Sequence, residues 1–260
     1  MVAREYQLER FAEGKSKHAN YKKPTFNFKK PVFKKKTELN IPAISSLNDS
    51  HYAKKFLIER KIPKGCYKDL YFAQDFKKFV SEVKSDYDKK LLDGDDRLII
   101  PFRTENGDLF AFQGRALGKN ALRYITVKLD DELKLFGLDK VDKKETIYVV
   151  EGPIDSLFLK NSVATADSNL EIGAKYFEGF TDNVILIPDR EPRNIHICKN
   201  IEKFIDNGRN VCLLPDTLKG KDINEFILSG ITKPQLHKII EDNTFSGIRA
   251  SIEFNRWKKI

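Results

Sequence analysis

The chain has 260 residues, enough for one large domain or two modest ones with an apolar core that needs no covalent staples. With 40% hydrophobic and 33% charged residues it is not a disordered or fibrous chain as a whole, and no apolar run reaches the roughly 18 residues of a membrane span. A net charge of +9 favours a polyanionic partner, because clustered Lys and Arg release counterions when they meet phosphates.

Cys66, Cys198 and Cys212 are widely spaced, with no CxxC pair and no Cys/His cluster of metal-ligand spacing, so they read as reduced thiols and no zinc is expected. The N-terminus carries no signal-peptide apolar core, which makes the cytoplasm the expected compartment.

From Met1 to about Asn40 the chain is lysine-rich with interleaved aromatics, and residues 1–45 are assigned to a basic arm. Its lysines suit phosphates, and Tyr21, Phe26, Phe28 and Phe33 offer faces for unpaired bases. A solvated linker is the alternative, since blocks of like charge repel and stay hydrated. Residues 46–142 are read as a smaller α+β subdomain. Tyr52, Phe56 and Leu57 fall on one helical face, and the helix breaks at IPKG, Ile62 to Gly65. RLIIPFRTENGDLFAFQGRAL then sets two apolar runs about Asn106-Gly107, a hairpin signal, after which the strand period fades into a short helix or loop.

From Glu145 the chain alternates short apolar runs with helical stretches: TIYVVEG, a helix from Ile154, SVATA, a helix near Glu171, NVILIPD, a helix to Asn207, and NVCLLPD. This predicts a mainly parallel sheet flanked by helices over residues 143–230, with the strands' C-terminal ends on one edge. Residues 231–260, from about Lys233, are read as one helix and a basic tail.

That edge is acidic. Glu151 follows the first strand and Asp155 comes one helical turn later; Asp189 and Glu191 follow NVILIP; Asp216 and Asp222 follow NVCLLP. Carboxylates crowded together repel one another and become favourable when hard divalent cations neutralise them. Two such ions about 4 Å apart can activate a hydroxyl and stabilise a leaving pyrophosphate. His18, His51, His196 and His237 are scattered and none neighbours a nucleophile. Trp257 is read as packing against its own domain, with a partner-anchoring role as the alternative.

EGPID, PDREPRN and KDINE together resemble the Toprim domain of bacterial-type primases, topoisomerases and some nucleases. Upstream, IPFRTENGDLFAFQGRAL, LRYIT and LKLFGLDK resemble the segment that precedes Toprim in primases, and HYAKKFLIERKIP resembles the helical start of that core. Toprim topoisomerases and nucleases lack this upstream segment, so the match from Ser46 to Leu228 is to primases, with EGPIDSLFL and PDREPRN most similar to those of tailed phages.

The resemblance implies an α/β Toprim domain behind a smaller α+β primase core, and template-directed synthesis of RNA primers on single-stranded DNA from ribonucleoside triphosphates. It implies Mg²⁺ or Mn²⁺ held by Glu151, Asp155, Asp189, Glu191 and Asp222, with Glu151 as the candidate general base. Arg103, Arg115, Arg123 and Lys128 would face nucleic-acid or nucleotide phosphates, and a replicative helicase would be a partner. The chain departs from the family pattern at Glu191, where Asp is usual, and at Asn224, where many relatives place an acid. No Cys-rich zinc ribbon is seen, which leaves that part absent from the sequence, unused, or supplied as a separate protein. The alternatives are a Toprim nuclease using the same acids and a non-catalytic DNA-binding replication module.

Overall fold

The computed structural model describes residues 39–87, 89–119, 122–179 and 183–260. These residues belong to one compact unit. The lysine-rich stretch up to residue 38, with Tyr21, Phe26, Phe28 and Phe33, lies outside the described residues. The last residues assigned to the arm are structural instead: Ala43 bridges Tyr71, the Ile44 amide donates to the Leu70 carbonyl at 2.8 Å, and the Ile44 side chain is fully buried.

The first half begins with helix α1, Tyr52–Glu59, which buries Ala53 and Leu57. Phe56 is partly buried, whereas Tyr52 is 47% exposed and donates its hydroxyl to Asp96, so only part of the expected face turns inward. A four-stranded antiparallel sheet follows in the order β1 (Tyr71–Ala73), β2 (Arg97–Arg103), β3 (Leu109–Ala116) and β4 (Tyr124–Lys128). The Asn106-Gly107 hairpin forms where expected; Gly107 takes φ 82°, a left-handed conformation that glycine reaches without a Cβ clash. Strand β4 replaces the expected helix or loop. It is an edge strand on which only Val127 is fully buried, so little apolar alternation reaches the sequence.

Because side chains alternate across a strand, this sheet has two distinct faces. Ile99, Phe112 and Val127 pack on Phe76, Phe79 and Val80 of helix α2, Phe76–Val83, whose first turn is capped by the Asp75 carboxylate accepting from the Lys78 amide at 3.0 Å. Leu98, Ile100 and Phe102 face the other way, into a core shared with the second half. Arg97 is completely buried yet satisfied: it pairs with Asp95 at 2.6 Å and donates to the carbonyls of Gly114 and Leu122 at 2.8 and 2.9 Å.

The second sheet runs in the order β6 (Ser162–Ala164), β5 (Ile147–Val150), β7 (Val184–Ile187), β8 (Asn210–Cys212) and β9 (Thr244–Phe245). The first four are mutually parallel and β9 joins antiparallel at the edge. Helices α3 (Pro153–Ser156), α4 (Glu171–Tyr176), α5 (Ile195–Asp206), α6 (Ile223–Leu228), α7 (Lys233–Asp242) and α8 (Gly247–Trp257) complete this half. Ile147, Val149 and Leu186 share one core with Ala174, Phe204 and Phe254; Tyr148, Val150 and Ile187 share the other with Leu98 and Phe102 of the first sheet. The unbroken β-branched runs are therefore explained by burial on both faces.

The C-terminal stretch differs from the expected single helix and tail. A two-residue strand, too short to leave a periodic signal, separates two helices and extends the sheet. Trp257 is 8% exposed and its indole N–H donates to the Leu214 carbonyl at 2.8 Å, so it packs against its own fold. Among the described residues no helix is long and apolar enough to cross a membrane.

Candidate active site

Parallel strands end together, and the residues just past their ends therefore meet on one edge. Glu151 directly follows β5. Gly152 and Pro153 then turn the chain into α3, which carries Asp155 back beside Glu151. A Cβ on Gly152 would collide with the Asp155 carboxylate, so this position needs the absence of a side chain more than any special backbone angle. Asp189 sits two residues beyond β7. Asp222 ends the long loop after β8 and caps α6, accepting from the Glu225 amide at 2.8 Å.

These four acids line one cleft of about 280 Å³, together with Asp167, Glu225 and Lys221. Arg60, Gln113, Arg115, Arg123 and Tyr124, all from the first half, line the same cleft. The register explains the grouping: Arg115 lies opposite Tyr124, and Gln113, two residues earlier and hence on the same face, lies opposite Thr126. Arg115 is 6% exposed, with its guanidinium 5.4 Å from the Phe56 ring centroid and 4.7 Å from that of Tyr124. Its Nε and the Oε1 of Gln113 are buried without a hydrogen-bond partner.

The acids strain one another. Burial, followed by the charges of Glu151, Asp155 and Asp222, pushes the Asp189 carboxyl up to about 8. Burial and the neighbouring Asp222 raise Asp155 to about 7. Burial also raises Glu151, against the opposing effect of the Asp189 amide, which donates to Glu151 Oε1 at 3.2 Å. Asp222 is raised chiefly by burial as well.

Not every residue singled out in the sequence joins this cluster. Glu191 is outside the cleft lining and accepts from Asn194 Nδ2 at 2.6 Å and Lys221 Nζ at 2.9 Å, which hold its carboxyl below the usual range. Arg103 donates to the Gly107 carbonyl at 3.0 Å, at the hairpin turn and away from the cleft. Lys128 is exposed on β4, also outside the lining, and Asp216 pairs with Arg190 and Lys259.

Arg60, Gln113, Tyr124, Asp167, Lys221 and Glu225 were not anticipated as part of the cleft. Gln113 was accessible through strand alternation from Arg115; Tyr124 lies on an edge strand with little apolar period, and Arg60 had no local signal. Among the described residues no three His, Cys, Asp or Glu side chains converge as a ready-made metal cage. The donors that face the cleft are nonetheless carboxylate oxygens, whose mutual repulsion a hard divalent cation would relieve.

Comparison with solved structures places the fold among primase catalytic cores. The catalytic domain of a DnaG primase bound to single-stranded DNA superposes with a TM-score of 0.59 at 15% identity, covering 78% of this chain and 74% of that one. The RNA polymerase domain of Mycobacterium tuberculosis primase DnaG gives 0.58 at 18% identity, covering 80% and 82%. The Aquifex aeolicus primase, with its zinc-binding and RNA polymerase domains, gives 0.58 at 21%, covering 80% and 61%. No family model matches the chain. The architecture is thus that of a DnaG-type primase core, an α/β fold with a mostly parallel Toprim sheet.

In sequence, the chain is 33% identical over 221 residues to the DNA primase of Enterobacteria phage T4. The match covers 84% of this chain and 63% of that protein, somewhat under two thirds of the relative's length. The phage-primase resemblance read from the motifs is supported by this relative and by the fold.

Proposed function

We propose that this chain is the catalytic core of a phage-type DNA primase, joining ribonucleotides on a single-stranded DNA template by divalent-metal-dependent nucleotidyl transfer. One observation carries the reading: Glu151, Asp155, Asp189 and Asp222, from three separate strand ends, line one cleft together with Arg60, Arg115 and Arg123. Acidic and basic side chains around one cleft suit a triphosphate and a nucleic-acid strand bound together.

In the reaction, the 3′-hydroxyl of one nucleotide attacks the α-phosphorus of the next, a phosphodiester forms, and pyrophosphate leaves. Glu151, whose Oε1 accepts from the Asp189 amide at 3.2 Å and whose carboxyl is raised by burial, would take the hydroxyl proton or ligate metal. Mg²⁺ or Mn²⁺ at Glu151, Asp155, Asp189 and Asp222, with Glu191 at the rim, would activate the hydroxyl and neutralise the leaving pyrophosphate. A preformed cage is unnecessary, because Mg²⁺ commonly uses one or two carboxylates plus waters and substrate phosphates. Arg115 and Arg123 would hold phosphates, while Tyr124 presents a ring beside them for stacking. Arg103 and Lys128, away from the cleft, would contact the strand further along its path.

Single-stranded DNA and ribonucleoside triphosphates are the proposed substrates. A replicative helicase and a separate zinc-ribbon protein are the proposed partners, and the bacterial host cytoplasm the proposed compartment. The test is incubation with single-stranded DNA, four ribonucleotides and Mg²⁺ or Mn²⁺, with labelled products resolved on a gel. Oligoribonucleotides should appear with the wild type and fall ~100-fold or more with Glu151→Gln or Asp189→Ala. Cleavage of the DNA without ribonucleotide incorporation would support the nuclease alternative instead.

A further inference from the structure

Arg60 stands at the end of α1, yet its guanidinium reaches across to α6, 164 residues later in the chain, and donates from Nη1 to Asn224 Oδ1 at 2.6 Å. The bond is reciprocated: Asn224 Nδ2 donates to the Arg60 carbonyl at 2.8 Å. Asn224 is 2% exposed, and its backbone N–H donates to Asp155 Oδ1 at 2.9 Å. Beside this clasp, Lys61 Nζ donates to the Ile227 carbonyl at 3.2 Å, and Phe56 lies under the Arg60 guanidinium with its centroid 5.0 Å away.

The identity of residue 224 suits this arrangement. An amide can accept from a guanidinium and donate to a carbonyl at once, which an ionised acid cannot do. An acid there would also add a negative charge beside Asp155, where burial and Asp222 already oppose ionisation. Asn224, bonded through its backbone N–H to Asp155 of α3, is therefore fastened to the first half by two directed side-chain bonds and adds no charge.

We infer that Arg60 is a positioning residue which, through Asn224, fixes the Asp155 carboxylate for divalent-cation binding and so ties the helical segment of the first half to the acidic strand edge. The inference rests on the metal-dependent reading above. Outer partners of metal ligands commonly govern affinity by about tenfold or more, because the ligand must be held in one orientation before the ion arrives.

The test is calorimetric titration of the full metal-free chain with Mn²⁺ for the wild type, Arg60→Met, Asn224→Ser and the double variant, with melting temperatures measured alongside in chelator. Arg60→Met keeps an apolar stem over Phe56, and Asn224→Ser keeps the amide that donates to Asp155. Each single variant should weaken Mn²⁺ binding about tenfold, and the double variant should be no weaker than the worse single one, because both interrupt the same linkage. Wild-type affinity in Asn224→Ser would overturn the inference even if Arg60→Met failed to fold. So would multiplicative losses in the double variant, which would mean that Arg60 and Asn224 act on the site independently. If the wild type itself bound no Mn²⁺, the metal-dependent function would fall, an outcome separate from equal binding by all four proteins.

Discussion

Replacing Asp189 with Asn should make the metal-free protein more stable at alkaline pH. The carboxyl is raised from 3.8 to about 8, so the native state holds its proton more tightly than the unfolded chain does. Below pH ~4 both states are protonated and there is no penalty; the penalty grows between pH ~4 and ~8 and is complete above that. At 1.36 kcal/mol per pH unit, this range sets a ceiling of about 6 kcal/mol. Water entering an open cleft and relaxation of Glu151 and Lys221 screen much of it, leaving an expected gain of ~1–3 kcal/mol. In a fold of this size that is a rise of several degrees in Tm, at ~2–4 °C per kcal/mol. The assay is thermal unfolding of wild type and Asp189→Asn in chelator at pH 8.5 and pH 5, repeated with 10 mM Mg²⁺, an amount of roughly the order that weak carboxylate sites require. The gain should be largest at pH 8.5, shrink to less than about a third at pH 5, and reverse with Mg²⁺, which stabilises only the intact acid cluster. A pH-independent gain, or a loss at pH 8.5 in chelator, would refute the claim that burial and the neighbouring acids strain the ionised Asp189.

Arg97→Ala should cost about 3–5 kcal/mol in a urea titration, because it leaves Asp95 uncompensated and strips a donor from the buried Gly114 carbonyl of the first sheet. Gly152→Ala should leave the denaturation midpoint within about 1 kcal/mol of wild type while lowering nucleotide incorporation ~10- to 100-fold, since the new Cβ displaces the Asp155 carboxylate. Gln113→Leu should change stability by no more than about 1 kcal/mol by calorimetry, because the loss of the Nε2 bond to Thr126 Oγ1 at 3.2 Å is offset by removal of a buried amide oxygen that has no partner among the described residues. A loss of about 3 kcal/mol there would indicate an ordered water or buried bond at that oxygen.

Much of the second half was legible along the chain. Strands buried on both faces need unbroken runs such as IYVV and VILI, and parallel strands joined by helices necessarily bring their C-terminal ends together, so Glu151, Asp155, Asp189 and Asp222 could be placed on one edge from order alone. The hairpin at Asn106-Gly107 was equally local, because a residue at φ 82° selects glycine. Short edge strands were not legible: β4 has one fully buried residue and β9 has two residues in all, too few to show a period. The first half's contribution to the cleft, and the fate of Glu191, Arg103 and Lys128, were decided by tertiary packing. The Arg60–Asn224 clasp spans 164 residues, and the pairing of Glu191 with Lys221 spans 30. A sequence fixes local backbone preference and which faces are apolar; which distant charges meet depends on how two sheets close over a shared core, and that information lies in no single segment.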